Sequence, residues 1–213
     1  MKLASVLRAA LLVAVPFTFL SGTVSAANIV NNPGFETGDF TGWTTHICTG
    51  ACTFQAFFVA SGVGQASTFA ADTACVGVAC LDPITGDWLS QVLTTTAATS
   101  YTFSFWTNPG TSANSPTVEA DVYWNGVQVG GFVNEPAGYS QFTISGLVAT
   151  GSTSVLEITA RHDPADLFID NICVSSTGDC GAVVAGVPEP FSFALTGFGL
   201  AAVGFARFRR RKV

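Results

Sequence analysis

An all-β fold, two antiparallel sheets packed as a sandwich, is what this chain of 213 residues predicts. Three observations lead there. Between Asn28 and Val174, short runs of Val, Ile, Thr, Phe, Tyr and Trp alternate with clusters of Gly, Pro, Asn, Asp and Ser about every ten residues. No amphipathic helical stretch of useful length interrupts them. Several runs also alternate apolar and polar residues with period two, which puts one face of a strand in a core.

Taken in order, Asn31-Asn32-Pro33-Gly34-Phe35-Glu36-Thr37-Gly38-Asp39-Phe40-Thr41-Gly42-Trp43 interleaves turn formers with aromatics, as a short strand, a tight loop and a second strand would. Phe35, Phe40 and Trp43 are its core candidates. Residues 53–60 read as a strand, and the region from Cys75 to Gly86 as a loop of small residues. Residues 88–94 read as a strand with Trp88, Ser90 and Val92 on one face and Leu89, Gln91 and Leu93 on the other. In residues 100–106, Tyr101, Phe103 and Phe105 alternate with Thr102 and Ser104. Residues 117–124 and 127–133 flank Asn125-Gly126, a pair that supplies the two positive φ angles of a type I′ hairpin turn. Residues 139–148, 154–160 and 167–174 complete the strands, with no repeat of solenoid period.

The two ends have another character. Lys2 and Arg8, the apolar stretch Ala9 to Leu20 and the small-residue exit Val24-Ser25-Ala26 predict a secretory signal peptide, residues 1–26. At the far end a rigid Val187-Pro188-Glu189-Pro190 precedes an uncharged run, 191–206, and a basic cluster, 207–212. This predicts a short membrane span, below the roughly 20 residues of a comfortable helix, with the basic cluster on the cytoplasmic side and the domain outside. One domain, residues 27–178, and a linker, 179–186, lie between.

Residues 27–190 hold one arginine, Arg161, against fourteen carboxylates, a net charge of −13. Such a surface repels nucleic acid, whose binding needs cations to neutralise phosphates, and it attracts divalent cations. Lysine is absent between Lys2 and Lys212, which excludes lysine-based catalysis in the domain. Six cysteines in a chain with an export signal point to disulfides. Tight spacing suggests Cys48–Cys52, Cys75–Cys80 and Cys173–Cys180, each worth about 2–3 kcal/mol in the chain-entropy view. Zinc is the rival reading, and the spacings CxxxC, CxxxxC and Cx6C suit it poorly.

Pro188-Glu189-Pro190, the short span and the Arg-rich end, in that order at the C-terminus, resemble the PEP-CTERM sorting signal of exopolysaccharide-producing bacteria. The resemblance implies that Val187, Pro188, Glu189 and Pro190 are recognised by an exosortase, a membrane protease-transpeptidase, and that the span is removed. A second resemblance covers nearly all of residues 28–175. Asn32 to Trp43, Leu89-Ser90-Gln91, Tyr101 to Trp106, and Arg161-His162-Asp163-Pro164 leading to Ile169-Asp170-Asn171-Ile172 resemble the galactose-binding-like jelly roll, which is similar to the sandwich of carbohydrate-binding modules. It implies neighbouring first and last strands whose acidic residues, Glu36 and Asp170, share a structural calcium ion with carbonyl oxygens.

Four groups of residues are candidates for chemistry. Glu36 and Asp170 are the calcium pair. The Arg161-His162-Asp163-Pro164-Ala165-Asp166 loop reads as a turn whose arginine finds a carboxylate. Glu119 and Asp121 share one face of a strand, an arrangement that suits a solvated face better than the carboxyl pair of a glycosidase, which comes from different strands. Tyr123, Trp124 and Tyr139 are candidates for stacking on sugar, whereas Trp43, Trp88 and Trp106 are expected in the core. The expected function is therefore that of an exported, non-catalytic surface or matrix protein associated with exopolysaccharide. A carbohydrate-binding module with a defined sugar is the alternative, and a small polysaccharide-active enzyme the third reading.

Overall fold

The computed structural model describes residues 28–53, 56–110, 117–133, 136–163 and 165–178. The expected signal peptide 1–26, the linker 179–186, Pro164, Cys180 and the tail 187–213 lie outside the described residues. Ten strands form two antiparallel sheets. Sheet I has the order β1 (Thr44–His46), β4 (Trp88–Thr94), β9 (Thr153–His162), β6 (Val118–Trp124), β7 (Val127–Val133). Sheet II has the order β2 (Phe58–Ser61), β3 (Phe69–Thr73), β10 (Leu167–Ser175), β5 (Ser100–Asn108), β8 (Ser140–Val148).

Alternation decides which side chains meet between the sheets. From sheet I come Leu89, Leu93, Val122, Leu156, Ile158 and Ala160, and from sheet II Phe103, Phe105, Ile169 and Val174, all fully or nearly fully buried. Each large side chain removed from water in this way stabilises the sandwich by about 1.5–3 kcal/mol. At the β6–β7 turn Asn125 and Gly126 adopt φ of 52° and 77°, both positive, as a type I′ hairpin requires.

Three expectations are corrected. Residues 31–43 form turns rather than two strands: Asn32, Phe35, Gly38 and Gly42 all have positive φ, so the extended run a strand needs is broken every few residues. Phe35 and Trp43 are nonetheless buried in the core, with Phe40 packed against it. The segment 53–60 becomes a strand only at Phe58, while Thr53 makes an isolated bridge to Val76. Strand β3 was not expected, because Ala70, Ala71 and Asp72 have low strand propensity; burial from both sides overrides that preference.

The first and last segments do lie side by side, with the Ile29 N–H donating to the Val174 carbonyl (3.0 Å) and the Ile172 N–H to the Pro33 carbonyl (2.9 Å). Cys48–Cys52 and Cys75–Cys80 are disulfides. Cys173 is disulfide-bonded too. Disulfides are compatible with an oxidising, extracellular setting. Among the described residues no helix is long and apolar enough to cross a membrane.

Candidate functional site

The outward face of sheet I carries the most chemistry in the described domain. Strand register lines up His46, Trp88, Thr159, Asp121 and Gly131 in one row across all five strands. The neighbouring row is Thr44, Ser90, Glu157, Tyr123 and Gln128, and Arg161 pairs with Glu119 beyond Asp121. Their sequence neighbours Leu89, Ile158, Val122 and Ala160 point into the core, so period two sends this whole set outward.

The rings and the acids interlock. The His46 imidazole stacks on Trp88, with centroids 5.1 Å apart and planes 12° from parallel, and its Nδ1 lies 2.7 Å from the Gly86 carbonyl. The Trp88 ring is half-buried, and its Nε1 and the cross-strand Thr159 Oγ1 are both buried without a hydrogen-bond partner. Such groups cost about 1–3 kcal/mol each. Gly131 leaves room for a carboxylate, since a Cβ there would come within 2.5 Å of Asp121 Oδ1.

Burial, then the nearby Glu119 charge, pushes the Asp121 carboxyl above its ordinary range. Burial also raises Glu157, partly offset by His46. Burial and the charges of Asp121, Glu157 and Asp82 raise the Tyr123 phenol.

The three residues expected to stack on sugar are dispersed. Trp124 is 5% exposed in the core, where its indole N–H donates to the Val148 carbonyl (3.2 Å) and its ring meets Tyr101. Tyr123 is on the outward face of sheet I but only 8% exposed. Tyr139, at the start of β8, donates its O–H to the Val63 carbonyl (2.5 Å) and so fastens the β2–β3 loop. Conversely Trp88 and Trp106, expected in the core, are half-buried on outward faces, paired across strands with Thr159 and Asp170. Alternation held the signal for Trp88, because Leu89 and Leu93 are the apolar set of that strand and Trp88 belongs to the other.

Arg161 finds its carboxylates as expected. Its guanidinium lies 2.9 Å from Glu119 Oε2 and 3.5 Å from Asp163 Oδ2. Glu119 and Asp121 do share the outward face, yet Glu119 is held by that cation and is thereby withdrawn from acid–base work. His162 is buried at the inner end of β9, its Nδ1 2.8 Å from the Asp166 carbonyl.

Glu36 and Asp170 are brought together. Glu36 Oε1 accepts the N–H groups of Thr68 (3.1 Å) and Phe69 (2.8 Å). Asp170 Oδ2 accepts the Gln65 N–H and the Ser67 hydroxyl (both 2.7 Å), and Oδ1 accepts the Asn171 N–H (2.6 Å). Burial first, and the Glu36 charge last among the causes, push Asp170 up to about 6. Gly34 keeps a small space open here: a Cβ would meet Asp170 Oδ1 at 3.2 Å, Asn171 Oδ1 at 3.4 Å and Glu36 Cγ at 3.8 Å. Two oxygens, Asp170 Oδ1 and Asn171 Oδ1, thus line a space that a methyl would fill.

No family model matches the chain, and no curated protein matches it. Solved structures do. TmCBM61, determined with β-1,4-galactotriose, matches 71% of this chain and 99% of its own at 20% identity, with a TM-score of 0.52. The CBM22-1 xylan-binding domain of Paenibacillus barcinonensis Xyn10C matches 72% of this chain and 97% of its own at 13% identity, TM-score 0.50. The K3 cleaved adhesin domain of Lys-gingipain from Porphyromonas gingivalis matches 70% and 100% at 15% identity, TM-score 0.50. At such identities the likeness shows the fold alone: a two-sheet antiparallel sandwich, consistent with a jelly roll, shared with these carbohydrate-binding modules.

Proposed function

We propose that the sandwich is a non-catalytic carbohydrate-binding module that lays a neutral polysaccharide across the outward face of sheet I. The observation that carries this reading is the registered row of His46, Trp88, Thr159 and Asp121 beside Glu157 and Tyr123. An apolar ring face matches the C–H face of a pyranose, and carboxylates and hydroxyls accept and donate to its ring hydroxyls. The carboxylates and the net charge of the domain disfavour a uronate-rich chain. Isothermal titration of residues 27–186 against galactan, xylan, glucan and alginate is the test. Micromolar binding to a neutral polymer without release of reducing ends supports the module; reducing-end release establishes the enzyme instead, and no binding to any neutral glycan overturns the reading.

Glu36 and Asp170, with Asn171 Oδ1, would hold a structural calcium ion that pins the β2–β3 loop to β10. The tail supplies the address. Val187, Pro188, Glu189 and Pro190 would be read by an exosortase, delivering the domain from a transient inner-membrane anchor to the surface or the exopolysaccharide matrix. Deleting residues 187–213 tests this, because a protein that reaches the same fraction without them does not depend on sorting.

A further inference from the structure

The cysteines of two loops that are separate in sequence converge at one end of sheet I. The Sγ atoms of Cys48, Cys52 and Cys75 all lie within 4.8 Å of one another. Cys75 is joined to Cys80, and Cys48 Sγ is 3.9 Å from the carbonyl of Ala79, the residue before Cys80. Three sulfurs therefore share one locality, and Cys80 is tied to it through its bond to Cys75.

The main chain holds them there independently of the sulfur–sulfur bonds. Thr53 and Val76 exchange two N–H···O bonds of 3.1 and 2.9 Å, which zips the two loops together, and the Thr49 N–H donates to the Thr85 carbonyl (2.9 Å). Around the second pair, the Cys80 N–H donates to Gly77 (3.1 Å), the Asp87 N–H to the Cys80 carbonyl (3.0 Å) and the His162 N–H to the Cys75 carbonyl (3.1 Å). Cys75 and Cys80 are fully buried, and Cys48 and Cys52 are half-buried. Reduction would leave four thiols tethered to this frame, with Cα separations of 6.1 and 6.0 Å within the pairs.

Four thiolates at one point are the ligand set of a soft divalent cation. Zinc holds them at about 2.3 Å, which places the sulfurs of a tetrahedron about 3.8 Å apart. Reaching that spacing closes the gap between the two loops by about 1 Å and moves the sulfurs of each reduced pair apart, both within reach of side-chain rotation. We propose that Cys48, Cys52, Cys75 and Cys80, when reduced, form a tetrathiolate site for a zinc-class cation, so that metal and paired disulfides are alternative states of the same four sulfurs.

The interconversion balances with a disulfide oxidant such as oxidised glutathione. Four thiolates pass four electrons to two molecules of oxidant, the Cys48–Cys52 and Cys75–Cys80 bonds form, the cation leaves, and four protons from solvent complete four reduced thiols. The spacings CxxxC and CxxxxC suit zinc poorly along the chain; the Thr53–Val76 bridge brings the two short chelates together in space. The site adjoins the edge of the proposed glycan face, Cys48 being two residues from His46, but does not depend on that reading.

The test uses the full-length chain with Cys173→Ser and Cys180→Ser, reduced with a phosphine and titrated with Co2+ and then Zn2+. One equivalent of Co2+ should give intense tetrahedral d–d bands and a thiolate charge-transfer band, both lost when Zn2+ displaces it. Cys75→Ser should weaken binding by more than about a hundredfold. Oxidised glutathione should release the metal and restore both disulfide masses. Absence of one-to-one binding by reduced protein overturns the proposal. So does an octahedral Co2+ spectrum, an unchanged titration in Cys75→Ser, or a reduced chain that unfolds and is not refolded by one equivalent of Zn2+.

Discussion

The two outward faces of the sandwich arise from the same alternation, yet their polar groups have different partners. On sheet II most of them bind the protein itself, the buried Asp72 Oδ1 excepted. Asp170 accepts from Gln65, Ser67 and Asn171, Tyr139 donates to Val63, and Asn171 donates to Gln65 (2.9 Å), so that the β2–β3 loop is tied down. On sheet I, Trp88 and Thr159 hold buried polar atoms with no partner, amid rings and carboxylates. The stacked His46 and Trp88 rings beside carboxylates set the face of sheet I apart from the loop-fastening hydrogen bonds of sheet II.

The largest effect expected from this contrast concerns binding. Trp88→Ala should lower affinity for the bound polysaccharide by about thirtyfold or more, whereas Trp106→Ala on sheet II should leave it within about twofold. Titration calorimetry on both variants checks this, and equal losses would erase the distinction between the faces.

The second prediction sharpens the structural role of sheet II. Adding calcium after chelation should raise the melting temperature of the wild-type domain by several degrees, by mass action on the folded state, and Asp170→Asn should abolish that rise. A calorimetric melt shows it. An unchanged melt in the wild type would exclude calcium from the Glu36–Asp170 pair.

The third is a pH dependence. Asp72, on the outward side of β3, is 3% exposed and its Oδ1 has no partner; burial, then the Asp166 charge, raises it to about 7. Burial raises Asp87 to about 6 despite the Thr73 hydroxyl bond. A folded state with such raised values keeps protons that the unfolded chain, near 3.8, has already released. Stability therefore falls as pH rises from about 4 to 7, the window between unfolded and folded values. Lowering pH from 8 to 5.5 in calcium-free buffer should raise the melting temperature, and Asp72→Asn should flatten much of that slope.

The smallest effect belongs to Tyr139→Phe. Losing the bond to Val63 should cost about 1 kcal/mol in denaturant unfolding and leave glycan binding unchanged. A binding loss there would move the ligand to sheet II.

Much of the fold was open to reading from the chain. The β6–β7 hairpin follows from Asn125-Gly126, and β4 and β5 follow from alternation, because both signals are local. Strand β3 escaped, since its alanines and aspartate are held by neighbours from distant sequence. At the candidate site, the alternation of β4 already set Trp88 opposite the Leu89 face. Nothing local showed that β1, β9 and β6 would add His46, Glu157 and Asp121 beside it.

The chain by itself determined an all-β domain, its strongly acidic balance and the distinctive composition of its two ends, because each depends on composition or period. Tertiary structure alone decided that Trp124 is core while Trp88 faces outward, that Glu36 meets Asp170 around Gly34, and that four cysteines from two loops converge. Those facts depend on which strand lies beside which, and register is set by long-range packing of the two inner faces rather than by any local preference.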